Sequence, residues 1–247
     1  MKLYKKSFLL LVLPITIFSF KNTTLAQSTE EETVNCNDPI SQQEMNYCSY
    51  LENEKLMSKL LEGYNKSVAY HDQELRTKAN LSFKSWNDFQ NAACTFEASF
   101  EAEGGSLAPL IASSCLIGEV KKKLSILDLP QDSVYPPLFK KPLSKIISTL
   151  EKQFRSLMNY EYNEEITKEK LNLAKAKFVD FVEKECDYRS ELIKFSVVEK
   201  SSDEIQEKVI AFDNLCKHKL YFDVSYRIKK YKENLGLFKH GHERFDR

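Results

Sequence analysis

The fold is decided by the stretch LSFKSWNDFQNAAC at residues 81–94, which the chain repeats in outline as LAKAKFVDFVEKEC at residues 173–186. Both stretches begin with leucine, keep two aromatic residues three positions apart with an aspartate between them, and end in cysteine. Adding 92 to a residue number in the first stretch gives its counterpart in the second. The matching pairs are Leu81/Leu173, Trp86/Phe178, Asp88/Asp180, Phe89/Phe181 and Cys94/Cys186. We infer a diverged internal duplication.

Around these stretches, apolar residues recur at the three- and four-residue spacing of amphipathic helices. Residues 128–142 (DLPQDSVYPPLFKKP) contain four of the seven prolines, so we interpret residues 130–142 as an inter-domain linker. Residues 143–235 contain neither glycine nor proline. The sequence therefore predicts an all-α protein, with two small antiparallel three-helix domains at residues 27–129 and 143–247 that are related by the duplication.

Two short motifs predict where helices begin. Gly104-Gly105-Ser106 supplies a glycine turn that ends one helix, and Ser106 is the predicted N-cap of the next. Ser201-Ser202-Asp203-Glu204 has the spacing of a capping box and predicts the start of the third helix of the second domain.

The start of the chain has the pattern of a secretory signal peptide. Three lysines precede an apolar run at residues 7–20, and small residues at Thr24 and Ala26 predict cleavage after Ala26. An uncleaved membrane anchor is the alternative, but the run is shorter than the roughly 20 apolar residues of a spanning helix and contains Pro14. We predict that residues 1–26 are removed and that the mature protein is periplasmic or secreted, without stable membrane insertion.

All six cysteines follow Ala26, and an even number of cysteines in an exported chain indicates disulfides. A zinc site is the competing interpretation, but the sequence contains no C-x-x-C motif. Six cysteines allow fifteen pairings. If the duplication is real, it selects the disulfides Cys36–Cys48, Cys94–Cys115 and Cys186–Cys216.

A specific set of residues lies between Cys36 and Leu127. The set consists of Cys36, the Met45-Asn46-x-Cys48 motif, Tyr64, Trp86 followed by Cys94, Gly104-Gly105-Ser106, and Cys115. With these residues the segment resembles the LprI-type lysozyme inhibitor family of bacterial envelopes. The resemblance implies a small exported helical domain that binds lysozyme, in which the residues other than cysteine have structural or partner-binding roles. Where the family usually has arginine, four residues after the tryptophan, this chain has Gln90.

The side chains that catalysis requires do not form a recognisable set. The cysteines have predicted disulfide partners, and the four histidines lie apart or near the end of the chain. We interpret His240-Gly241-His242 as a solvated terminus rather than a metal site. Trp86 is interpreted as a core residue rather than a binding anchor, because Phe178 replaces it in the repeat. We predict no enzymatic activity, no cofactor and no metal.

The charge distribution indicates which partners the protein could bind. The whole chain has 36 basic and 36 acidic residues, which does not favour nucleic-acid binding. Residues 27–129 contain nine basic and sixteen acidic residues, whereas residues 130–247 have a small basic excess. An acidic, disulfide-linked half suits a binder of lysozyme or another cationic protein.

We therefore predict an exported lysozyme-inhibitor-like protein that blocks a cationic muramidase by occlusion. The acidic half at residues 27–129 is predicted to fold and bind on its own. The alternatives are an envelope interaction or scaffolding protein without inhibitory activity and, less favoured, a cell-wall hydrolase using two carboxylates.

Overall fold

Six helices account for the regular structure in the computed structural model, which describes residues 34–102, 105–127, 142–159, 165–196 and 201–242. The helices are α1 (Gln42–Ser67), α2 (Gln73–Glu101), α3 (Ala108–Leu127), α4 (Leu143–Met158), α5 (Glu165–Ser196) and α6 (Ser202–His242). The described residues contain no strand, which confirms the predicted all-α class. The predicted signal peptide, Gly104 and all but the last residue of the predicted linker lie outside the described residues.

Side chains cap the helices at the positions where orphan backbone N–H groups need acceptors. At the start of α1, the Ser41 hydroxyl accepts from the Glu44 N–H at 3.2 Å, and the Glu44 carboxylate accepts from the Ser41 N–H at 2.9 Å. Ser201 and Glu204 form the same reciprocal pair before α6, which confirms the predicted capping box. The prediction for Ser106 was wrong by one residue, because α3 begins at Ala108 and the Ile111 N–H bonds to the Leu107 carbonyl.

Each half of the chain has the same arrangement of three helices. In the first half, α1 and α3 run parallel, because Gln42 contacts Ser106 and Glu52 pairs with Lys121, while α2 runs antiparallel to both. In the second half, α4 and α6 run parallel and α5 runs antiparallel to them. The structure is therefore consistent with two related halves, although the duplication itself stays a prediction.

Three disulfides join the elements with the predicted pairing. Cys36–Cys48 ties the segment before α1 to that helix, Cys94–Cys115 joins α2 to α3, and Cys186–Cys216 joins α5 to α6. Each of these bonds closes a loop within one half. The disulfides thus fix the internal geometry of each half and leave the contact between the halves to packing.

The two halves share one hydrophobic core. Helices α2 and α5 pack antiparallel, and the Phe89 ring lies 5.2 Å from Phe178 and 5.8 Å from Phe181. Trp86 of the first half and Leu157 of the second belong to the same buried cluster. Phe89 and Phe181, which are counterparts in the predicted repeat, stack on each other with an interplanar angle of 11°.

This shared core changes the expectation for an isolated first half. Cutting the chain after α3 would expose Phe89 and the surface of α2 that packs against α5. We therefore expect residues 27–128 alone to be much less stable than the whole chain.

The shared core predicts that a substitution in the second half destabilises the first. Phe178 is buried, so Phe178→Ala should lower the free energy of unfolding by about 3–5 kcal/mol. The loss should be seen in the fluorescence of Trp86, the only tryptophan, during denaturant unfolding. The neighbouring exposed Val179→Ala should change stability by less than about 1 kcal/mol. A Trp86 transition that Phe178→Ala leaves unshifted would show that the halves unfold independently.

Candidate functional site: a cleft between the two halves

A cleft of about 770 Å³ lies along the seam where the two halves meet. Its floor is formed by α2 and α5, which contribute the aromatic rings of Trp86, Phe89, Phe178 and Phe181. Its walls are α3 and α6. Gly118 lines the α3 wall, and a Cβ atom at that position would meet no other atom within 4 Å. The four rings are only 4%, 6%, 1% and 5% exposed, so the open space of the cleft lies beside a packed aromatic core.

A buried charge cluster occupies one end of the cleft. The Glu185 carboxylate on α5 accepts hydrogen bonds from the Arg189 Nε at 2.6 Å, from the Ser82 hydroxyl of α2, and from the Lys123 Nζ of α3 at 3.4 Å. Three helices from both halves thus converge on one carboxylate. Arg189 and Lys123 both lie against this carboxylate.

The protonation of this cluster follows from burial and the neighbouring charges. Burial alone would raise the pKa of Glu185, but Arg189, Lys123 and the Ser82 hydroxyl outweigh it and hold that pKa well below its ordinary value. Burial lowers the pKa of Lys123, assisted by the like charge of Arg189 and opposed by Glu185. The carboxylate is therefore fully stabilised in its charged form, whereas the ammonium group is only partly compensated.

Lys123 also faces the aromatic floor. Its Nζ lies 5.6 Å from the centre of the Trp86 ring and 6.0 Å from the centre of the Phe181 ring. These distances are within the range of cation–π interactions, which stabilise a cation against a ring face. The ammonium group is thus positioned directly above the floor of the cleft.

A second charged network lies towards the other end of the cleft. The Arg227 guanidinium of α6 lies 2.8 Å from Glu97 on α2, 3.3 Å from Glu119 on α3 and 2.9 Å from the Cys115 sulfur. It also lies 3.4 Å from the amide oxygen of Gln90. A base from the second half therefore occupies the space beside Gln90 and pairs with two acids of the first half, of which Glu119 also pairs with Lys122.

Glu101, on the last turn of α2, also lines the cleft. Burial raises the pKa of Glu101, and the nearby Glu97 carboxylate raises it further. Glu101 has no ion-pair partner in the described part of the chain. The Glu101 carboxylate therefore adds negative charge to the cleft lining beside Glu97.

A separate exposed surface lies on α1. Tyr47, Tyr50 and Leu51 are 48%, 54% and 41% exposed, and they share one helix face because they are three and four residues apart. Glu54 extends this face by one turn, and no described residue forms an ion pair with its carboxylate. We refer to these four residues as the outer face of α1.

The residues that carried the family resemblance do not converge on one site. Tyr64 is buried, with its ring 4.5 Å from Phe83 and its hydroxyl donating to Asn80, and Trp86 is buried in the shared core. Met45 and Asn46 are partly buried near the Cys36–Cys48 disulfide. Within the described residues the buried Oδ1 of Asn46 has no hydrogen-bond donor.

The turn between α2 and α3 lies beside the start of α1. Gly105 and Ser106 are exposed there, and the Ser106 carbonyl accepts from the Gln42 side chain. Gly104 lies outside the described residues. Tyr64 and Trp86 thus support the interior, whereas Gly105 and Ser106 lie on the surface.

Among the described residues, no three or more His, Cys, Asp and Glu side chains are grouped as a metal ion would require. The described helices include none with the length and hydropathy needed to cross a membrane. The side chains of His240 and His242 lie outside the described set.

A known protein family is similar to the first half of the chain, and its model does not extend into the second half. The family model described as "Lysozyme inhibitor LprI" matches residues 35–127. This match confirms the resemblance inferred from the sequence and spans the segment before α1 through the end of α3. No curated protein and no solved structure matches the chain.

The buried cluster predicts an acid-dependent loss of stability that depends on Glu185. Because its pKa is lower in the folded than in the unfolded protein, acidification adds a proton to the unfolded state first, so stability falls as the pH drops from about 5 to 3. Glu185→Gln should make this fall shallower. It should also lower stability at pH 7 by about 3–5 kcal/mol, because two cations then lose their anion.

Chemical denaturation at several pH values measures both effects. Glu54→Gln is the control, because it removes an exposed helical carboxylate that has no ion-pair partner among the described residues. It should shift stability by no more than about 0.5 kcal/mol. An acid dependence in Glu185→Gln as steep as that of the unmodified protein would contradict the assignment.

Proposed function

We propose that the protein is an exported, lysozyme-inhibitor-like binding protein that blocks a cationic muramidase by occluding its cleft. The observation that carries this proposal is the match of residues 35–127 to the lysozyme inhibitor family. Three disulfides support export, because such bonds persist in oxidising compartments outside the cytosol. Occlusion requires a rigid surface and no chemical step.

We assign the outer face of α1 as the contact surface for the muramidase. Tyrosine is enriched among residues that dominate binding energy, because it combines a large apolar area with a polar end. Tyr47 and Tyr50 lie on either side of Cys48, which the disulfide to Cys36 fixes. Such a preorganised surface loses little conformational entropy when it binds.

The charge of the first half supports a cationic partner, but less strongly than the sequence count indicated. Asp88 pairs with Lys177, and Glu97 and Glu119 pair with Arg227, so bases of the second half offset part of this acidity. In return, Lys78 and Lys123 of the first half pair with acids of the second half. Other acids are exposed and have no ion-pair partner in the described residues. They include Asp38, Glu54 and Glu74.

The proposal predicts that the mature protein slows lysis of a lysozyme-sensitive cell suspension, as followed by turbidity. The double variant Tyr47→Ala/Tyr50→Ala should weaken lysozyme binding about thirtyfold, the equivalent of one lost hot spot of about 2 kcal/mol. Tyr70→Ala is the matched control, because Tyr70 is 96% exposed in the same half but lies in the turn after α1. It should bind lysozyme like the unmodified protein.

The same assay separates the alternatives. A protein that neither binds lysozyme nor slows lysis contradicts the proposal. Binding without protection supports an envelope interaction protein, and clearing of the suspension without added lysozyme supports a hydrolase. Binding to lysozyme should weaken as the salt concentration rises, because ions screen exposed charges beyond a Debye length of about 8 Å at physiological ionic strength.

A further inference from the structure

The two sides of α4 differ sharply in chemistry. The buried side is apolar and packs into the molecule through Ile146, Leu150, Phe154 and Leu157. The opposite side is exposed and carries only basic and hydroxyl side chains, which are those of Lys145, Ser148, Thr149, Lys152, Arg155 and Ser156. We refer to these residues as the basic face of α4.

The cations of this face are not neutralised by acids of the described chain. Among the described residues, no carboxylate forms an ion pair with Lys145, Lys152 or Arg155. Glu151, the one acid of α4, lies at the edge of the face, and its carboxylate pairs with Lys175 of α5 at 2.7 Å. The basic face of α4 therefore retains its positive charge for an external anion.

The adjacent helix α6 extends the basic face. The Lys232 Nζ donates to the Ser156 hydroxyl at 2.7 Å, and no acid among the described residues forms an ion pair with Lys232. The positions from Lys145 to Arg155 span about 15 Å of helix, at the usual rise of about 1.5 Å per residue. Together with Lys232 they form a strip of four cations along the outside of the molecule.

The basic face lies at one end of the order in which the helices pack. Helix α4 packs mainly against α6, α6 against α5, α5 against α2, α2 against α3, and α3 against α1. The outer face of α1, with the exposed acid Glu54, therefore belongs to the other end of this order. A partner held on α4 would leave α1 accessible.

The partner that fits this face is an anionic surface that touches one side of the protein. The whole chain has 36 basic and 36 acidic residues, so it has no general attraction for polyanions, and a flexible polyanion wrapping around it would meet exposed acids elsewhere. A membrane surface contacts the basic strip alone. Lysine and arginine side chains near anionic lipids are attracted to that surface, and hydroxyl groups can donate to lipid phosphates.

We propose that the basic face of α4 binds the surface of a membrane that contains anionic phospholipids. The cations of the strip contact the phosphate groups, and the helix stays at the level of the headgroups because the face offers no apolar side chain for insertion. The outer face of α1 then remains free for a muramidase. The proposal goes beyond muramidase binding and does not depend on it, since the two surfaces lie on different helices.

Cosedimentation with lipid vesicles tests the proposal. The mature protein is mixed with vesicles of phosphatidylcholine containing phosphatidylglycerol, which is anionic, or with vesicles of phosphatidylcholine alone. We expect binding to the anionic vesicles only. This binding should weaken as the salt concentration rises, because ions screen the attraction between exposed charges.

The triple variant Lys145→Gln/Lys152→Gln/Arg155→Gln removes the cations of the face while keeping polar, helix-compatible side chains. Each cation near an anionic surface strengthens binding about fivefold, so the triple variant should bind the anionic vesicles about a hundredfold more weakly. The matched control is Lys55→Gln/Lys59→Gln/Lys66→Gln, which removes the same charge from exposed positions on α1. It should bind the vesicles as tightly as the unmodified protein.

Three results would overturn the proposal. They are equal binding to the two kinds of vesicle, an equal loss of binding in the triple variant and the control, and binding to soluble polyglutamate or duplex DNA as tight as that to the anionic vesicles. Should the triple variant fail to fold, as judged by circular dichroism, Lys152→Gln alone should weaken vesicle binding about fivefold. Lysozyme binding, measured without vesicles, should be unchanged in the triple variant, so failure of either proposal is seen separately.

Discussion

The antiparallel packing of α2 against α5 is the contact on which the rest of the structure depends. The disulfides close loops within each half, so they contribute nothing directly to the association of the halves. That association rests on burial of aromatic rings, in which Phe89 contacts both Phe178 and Phe181. Burying large rings is strongly favourable because it removes apolar surface from water. The same rings form the floor of the cleft.

The polar groups in this seam have a different physical role. A buried ion pair contributes little net stability, because desolvation offsets much of its attraction, but removing one partner is costly. Glu185 needs Ser82 and Lys123 from the first half, and Arg227 of the second half needs Glu97 and Glu119 from the first. Sliding one half along the other would leave these charges buried without partners. Burial of the aromatic rings thus holds the two halves together, and the ion pairs fix their relative register.

Sequence reasoning predicted the features that depend on local patterns. The helices follow from the apolar periodicity and the capping box at Ser201 from residue spacing, whereas the three disulfide pairs were predicted from the inferred duplication. The structure contains all of these features. The N-cap at Ser106 was wrong because the glycine turn continues one residue further before α3 starts. These results show that the spacing of residues constrains local structure more closely than it constrains helix ends.

The cleft could not be predicted, because its residues come from four helices that are distant in the sequence. One signal was present, since Glu185 is the counterpart of Ala93, which is buried. A glutamate in place of a buried alanine indicates a hidden charge partner. The sequence did not show that Lys123 would be this partner, because it follows two other lysines and only the packing distinguishes them.

The difference in charge between the halves is partly used inside the folded chain. From the sequence, an acidic half beside a basic half suggests a binding surface for an external cationic partner, yet several of these charges pair with each other across the seam. The family match ends at residue 127, whereas the bases Lys177, Arg189 and Arg227 lie beyond it. Lys177 and Arg227 therefore pair with acids of the family-like half, and the second half supplies one wall and half of the floor of the cleft. Any property of the cleft belongs to the whole chain and cannot be transferred from the family, whereas the outer face of α1 lies entirely within the matched segment.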